Sequence, residues 1–131
     1  MEKTIKLGEK IIKLKATGAL PRIYRILFSR DIFKDMAPIL ERYQHIHMDS
    51  ENDLSAVEQI GDNDLEILEN LTYAMSRAAD PQIQQTSPLE WLDGFSYREA
   101  AALQQEAVTL WIMDNYTIEQ PKKKYDPLTV S

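Results

Sequence analysis

Ile5-Lys6-Leu7-Gly8-Glu9-Lys10-Ile11-Ile12-Lys13-Leu14, followed by Leu20-Pro21-Arg22-Ile23-Tyr24-Arg25-Ile26-Leu27-Phe28, contains the change of period that decides the fold. In the first stretch Ile5 and Leu7 alternate with lysines, Gly8-Glu9-Lys10 supplies a turn, and Ile12 and Leu14 alternate again. Successive side chains of a strand point to opposite faces, so this alternation predicts a hairpin over residues 3–15. In the second stretch Leu20, Ile23, Tyr24, Leu27 and Phe28 recur at spacings that share one helical face. A lone hairpin is marginal in water, so its apolar face must pack on helices. The expected fold is mainly α: a small helical domain of about five helices with the N-terminal β-hairpin packed on it.

Working outward, Thr17 or Gly18 leads into the first helix, where Pro21 is tolerable only in the first turn. Ser29-Arg30-Asp31 reads as a joint. Ile32, Phe33, Met36, Ile39, Leu40 and Tyr43 form a second apolar set, with Pro38 expected to kink or restart that helix. Residues 44–64 are polar and acidic and read as a loop, a helical segment from about Asp53, and a break at Gly61. Asp62 or Asn63 then caps a helix whose core face is Leu65, Leu68, Leu71 or Thr72, and Met75, and Asp80-Pro81 ends it. Ser87-Pro88-Leu89-Glu90 and Ser96-Tyr97-Arg98-Glu99 carry helix-start chemistry, since a serine three residues before a glutamate satisfies free backbone N–H groups. The first opens a short helix with Leu89, Trp91, Leu92 and Phe95, and the second opens the last helix through Leu103, Ala107, Leu110 and Trp111. The expected organisation is one domain over 1–116 and an extended or disordered tail over 117–131.

The 131 residues carry 44% hydrophobic and 27% charged side chains, ordinary for a globular chain with a real core. There is no cysteine, which excludes disulfides and thiolate metal sites. No window approaches the roughly twenty apolar residues of a membrane span, and the start lacks the apolar run of a signal peptide. A cytoplasmic protein is expected. The net charge of -6 disfavours nucleic acid as a partner, because polyanion binding draws on surplus Lys and Arg. Arg22, Arg25, Arg30 and Lys34 fall close together, and read more simply as the solvated side of a helix.

Candidate chemistry is sparse. His45-Ile46-His47 with Asp49 puts two imidazoles and a carboxylate near one another, yet a metal site needs three or four convergent ligands and no third His exists. The acidic residues from Asp49 to Asp64 lack the ordered spacing of a calcium loop. Helical carboxylate pairs such as Asp62 with Glu66, or Glu66 with Glu69, read as surface charge. Four glycines, at 8, 18, 61 and 94, cannot build a phosphate-cradling loop. The chain therefore reads as a binding protein with no catalytic, cofactor or metal residues.

Trp91, Phe95, Tyr97 and Trp111 give the C-terminal third a large aromatic surface. Most of it is expected in the core, and an exposed remainder would anchor a partner, because Trp and Tyr are enriched at binding hot spots. By size and helical spacing, Tyr24, Phe28, Phe33, Trp91 and Phe95 are the candidate partner-binding residues.

The order of elements carries a resemblance. A lysine-rich hairpin, Ile5-Lys6-Leu7-Gly8-Glu9-Lys10-Ile11-Ile12-Lys13-Leu14-Lys15-Ala16, runs into Thr17-Gly18-Ala19-Leu20-Pro21-Arg22-Ile23-Tyr24-Arg25 and a small helical body with an acidic middle. The chain thus resembles the tail assembly chaperones of siphophages and prophages of Gram-positive bacteria, in outline over 1–116 and most closely over 4–36. The resemblance implies a protein that binds the long helical tape measure protein and keeps it soluble while tail tube protein polymerises around it. It also implies residence in the host bacterial cytoplasm, absence from the mature virion, and self-association into a homo-oligomer. Lys122-Lys123-Lys124 fits a slippery codon run for ribosomal frameshifting, or else a solvated basic tail. Alternatives are a structural head–tail or tail component, and a small helical regulatory binding domain.

Overall fold

A computed structural model describes residues 1–49 and 62–116, and the side chains of 1–42 and 64–115 among them. Strands β1 (Glu2–Leu7) and β2 (Lys10–Lys15) pair antiparallel, and five helices follow among the described residues. These are α1 (Leu20–Phe28), α2 (Ile32–Asp49), α3 (Asp62–Ala79), α4 (Pro88–Leu92) and α5 (Tyr97–Tyr116). The architecture is mainly helical with an N-terminal hairpin, as the change of period predicts. Residues 44–49, expected as the start of a loop, instead continue α2 to Asp49, while the rest of that loop, the helical segment and the break, over 50–61, and the tail from 117 lie outside the described residues.

The hairpin turn is Gly8-Glu9 alone, because Leu7 already pairs with Lys10. Gly8 sits at φ 63° and Glu9 does not share the positive φ, the pattern of a type II′ turn whose twist matches the strands. Nothing lies within 4 Å of a Cβ placed on Gly8, so its requirement is purely backbone. Gly8→Ala is accordingly expected to cost about 1–2 kcal/mol, the penalty of an L-residue in left-handed space, read as a lower urea midpoint with an unchanged slope.

Register sets the hairpin's inner face. Ile5 opposes Ile12 and Lys3 opposes Leu14, so these side chains lie on one side with Leu7 and Lys10. Leu14 is fully buried in the main core, and Ile5 and Ile12 pack on it. The two inward lysines at the ends of this face reach helix α5. Lys3 pairs with Glu106 at 2.6 Å and Lys10 with Glu99 at 3.0 Å. Glu99 and Glu106 are seven residues apart, two helical turns on one face, which lays the hairpin along α5.

Helix α3 is the centre of the molecule. Leu71, Thr72, Tyr73, Ala74, Met75 and Ser76 are all buried, so the helix is enclosed on every side. The Thr72 hydroxyl donates to the Leu68 carbonyl at 2.6 Å, which lets a polar side chain sit there at little cost. Around α3 gather Leu20 and Tyr24 of α1, Met36 and Ile39 of α2, and Ala107 and Trp111 of α5.

Helix α2 buries Ile32, Asp35, Met36, Ile39 and Leu40, a stripe at three- and four-residue steps. It continues through Pro38 rather than restarting there, with Pro38 on the exposed side. Phe33 is one residue, about 100° of helix, away from Ile32 on that stripe, and is 53% exposed. Asp35 takes a core position instead. It accepts Tyr24 Oη–H at 2.8 Å and a two-pronged contact from Arg30, Nε at 2.7 Å and Nη2 at 2.8 Å. Arg30 holds the Asp35 carboxyl below its usual range, while burial and Asp35 together push the Tyr24 hydroxyl up. The joint is completed by Ser29 in the left-handed region at φ 57° and by Asp31, whose Oδ1 accepts from the Phe33 and Lys34 amides.

Both serine–glutamate signals start helices. Ser96 Oγ accepts from the Glu99 amide at 3.1 Å and Glu99 Oε1 accepts from the Ser96 amide at 3.0 Å, a complete reciprocal cap. At α4 the Ser87 hydroxyl caps Glu90, but the Glu90 carboxylate turns to the Thr86 amide and hydroxyl instead. Helix α4 ends at Leu92, so Phe95, expected on that helix, lies in the connection to α5.

Candidate functional site

Four of the five aromatic candidates belong to one spine. Tyr24 meets Phe28 with ring centroids 5.0 Å apart, Phe28 meets Tyr73 at 6.5 Å, Tyr73 meets Trp91 at 5.9 Å, and Trp91 meets Phe95 at 5.1 Å. Every contact is edge-to-face, the arrangement ring quadrupoles favour. Tyr24 and Trp91 are buried, whereas Phe28 and Phe95 are half-buried. Tyr73, on α3, is the link that joins the two ends, and its hydroxyl donates to the Gln85 carbonyl. Phe33 stands apart, its ring tilted against Trp111 at 5.4 Å. The Trp111 Nε1–H is buried and has no hydrogen-bond partner among the described residues.

The spine ends at Phe95, in the wall of a groove of about 550 Å³ between α3, α4 and α5. Ala100 and Ala101 leave it shallow side chains to contact, and Leu65, Leu92 and Phe95 add apolar wall. Leu89 and Tyr97 stand at its edge, 68% and 75% exposed, so the groove is open to solvent. Tyr97 was among the aromatics marked by sequence, and Leu89 among the apolar residues of the short helix. Both stand in the first turns of their helices, beside Glu90 and Arg98, which are exposed as well.

Three carboxylates, Glu69, Glu90 and Asp93, line the groove, and no basic residue does. Burial, reinforced by the neighbouring Glu66 charge, raises the Glu69 pKa above the ordinary glutamate value. Gln104 also lines it, only 4% exposed and without a hydrogen bond to any described residue. It is the one amide side chain in that lining.

Lys10 braces the connection between α4 and α5. Its Nζ donates to the Gly94 carbonyl at 2.8 Å and to Glu99 Oε1 at 3.0 Å, and lies 5.1 Å from the Phe95 ring centroid. The Ser96 amide, with Lys10 second, holds the Glu99 carboxyl below its usual range. One hairpin side chain thereby fixes both the groove wall and the start of α5.

The basic cluster read from sequence does not converge: Arg22, Arg25 and Lys34 are exposed, and Arg30 is committed to Asp35. The side chains of His45 and His47, and the run Lys122–Lys124, lie outside the described residues. Among the described residues no group of three or more His, Asp or Glu is placed to hold a metal, and no helix is long and apolar enough to cross a membrane. Comparisons with protein families, with curated proteins and with solved structures found no match.

Proposed function

We propose that this chain is a phage tail assembly chaperone, a binding protein with no catalytic chemistry that holds the tape measure protein soluble while the tail tube forms. The observation that carries the reading is the open apolar groove edged by Leu89 and Tyr97 and backed by the aromatic spine. An amphipathic helix lays its apolar face into such a groove, and a long helical client offers many of them. Holding needs no nucleotide site, because binding the unassembled client lowers its free concentration by mass action. The resemblance over residues 4–36 supports the same reading, and adds tail tube protein as a second contact, self-association, a cytoplasmic location, and absence from the virion.

The test is co-expression with the tape measure protein of the same phage. The soluble fraction of the client is expected to rise several-fold, and Leu89→Asp or Tyr97→Asp to weaken binding by about tenfold or more each. Both side chains are largely exposed, so the fold tolerates the change. A client that stays insoluble, or a chain that persists in purified virions, would overturn the reading, the latter in favour of a structural component. A slippery codon run at Lys122–Lys124 overlapping a second reading frame would add independent support.

A further inference from the structure

Resting on the groove as the client site, we infer that its occupant is an amphipathic helix with basic flanks, whose apolar stripe is interrupted once by an amide or hydroxyl side chain read by Gln104. The dimensions favour a helix. The α5 residues Tyr97, Ala100, Ala101 and Gln104 span seven positions, about 10 Å or two turns, matching anchors at i, i+3 or i+4, and i+7 of a docked helix. Alanines at 100 and 101 let a second backbone approach to the roughly 8–10 Å at which helices pack.

Charge selects the flanks. Glu69 forms no ion pair among the described residues, and the Glu66 charge near it is of like sign. An occupant bringing Lys or Arg beside it relieves that repulsion, and one bringing Glu or Asp adds to it. Gln104 selects the stripe. An amide already nearly buried and unbonded loses its remaining water when a helix docks, so an all-leucine stripe strands it while an Asn, Gln or Ser completes it. A single polar residue in an apolar seam also fixes register, which a client of repeating helices would otherwise leave free to slide.

The experiment uses the full chain and three fluorescent peptides of about 20 residues, long enough to be helical when docked. One has a leucine stripe with one Asn and lysine flanks, one the same flanks without Asn, and one the Asn with glutamate flanks. The lysine–Asn peptide is expected to bind at least about tenfold tighter than the glutamate-flanked one. Glu69→Lys should narrow that gap, since Glu90 and Asp93 stay acidic, and Gln104→Leu should remove the Asn preference while keeping binding, with circular dichroism showing both variants folded. Equal binding of the peptides, no binding, or a lysine preference that Glu69→Lys leaves undiminished would overturn the inference. So would displacement by a peptide of residues 117–131 only, or a dimer of the chain that Tyr97→Asp dissolves without any peptide binding. If the tape measure protein is held soluble but the peptides are not distinguished, the chaperone reading stands and this inference fails. If the peptides are distinguished but the tape measure protein precipitates, the reverse holds.

Discussion

Tyr73→Ala is expected to lower stability by about 3–5 kcal/mol, the range for deleting a buried aromatic ring. Tyr73 is 1% exposed and among the described residues is the only ring that touches both Phe28 and Trp91, so its loss cuts the spine in the middle of α3. A domain of this kind has about 5–15 kcal/mol in total, and the variant would sit near the edge of folding. With a urea slope of about 1–3 kcal/mol per molar, the midpoint should fall by about 2 M. Tyr73→Phe keeps the ring and loses only the bond to the Gln85 carbonyl, so about 1 kcal/mol is expected there. Equal midpoints for the two variants would show that the ring does not support the spine.

Asp35→Ala should be next in size, at about 2–3 kcal/mol, because it leaves the buried Tyr24 hydroxyl unbonded and releases Arg30. The figure stays below the roughly 3–5 kcal/mol of a fully buried pair, since the half-exposed Arg30 can turn to water. The pH dependence has a definite sign. The folded carboxyl binds its proton more weakly than the unfolded one, so the stabilisation is complete above the ordinary aspartate pKa of about 4. It is lost as pH falls through the lower folded value. The gap in urea midpoint between wild type and Asp35→Asn should narrow as pH falls from about 6 to about 2.5. A gap that stays constant across that range would remove Asp35 as the titrating group.

Features written in neighbouring residues were legible in the sequence. The alternation of Ile5, Leu7, Ile12 and Leu14 gave the hairpin, and the serines at 87 and 96 marked helix starts, because turns and caps depend on residues within a few positions. Features made by three or more elements were not. Ser76 looks like part of a polar face, yet α3 is enclosed there by the hairpin and its neighbouring helices. Asp35 looks like surface charge until Tyr24 and Arg30 are seen to satisfy it. Phe33 has the size of a core residue but lies one step off its stripe. Of the five aromatic candidates only Phe95 lines the groove, whose remaining character comes from Glu69 on α3 and Gln104 on α5. No periodicity within one helix points to that pair.

The hairpin's attachment also sets a schedule for synthesis. Lys10 waits for partners 84 and 89 residues downstream, and Lys3 for Glu106. At about 5–20 residues per second a ribosome needs on the order of 5–20 s to supply them. Throughout that interval Ile5, Ile12 and Leu14 have only the helices already made, α1 to α3, to pack on, and the two lysines lack their anchors on α5. Translation that halts before Glu99 leaves Lys3 and Lys10 without these partners, so in unfinished chains the hairpin is held by its apolar face alone. The final helix is therefore both a wall of the groove and the latch that closes the earliest part of the chain.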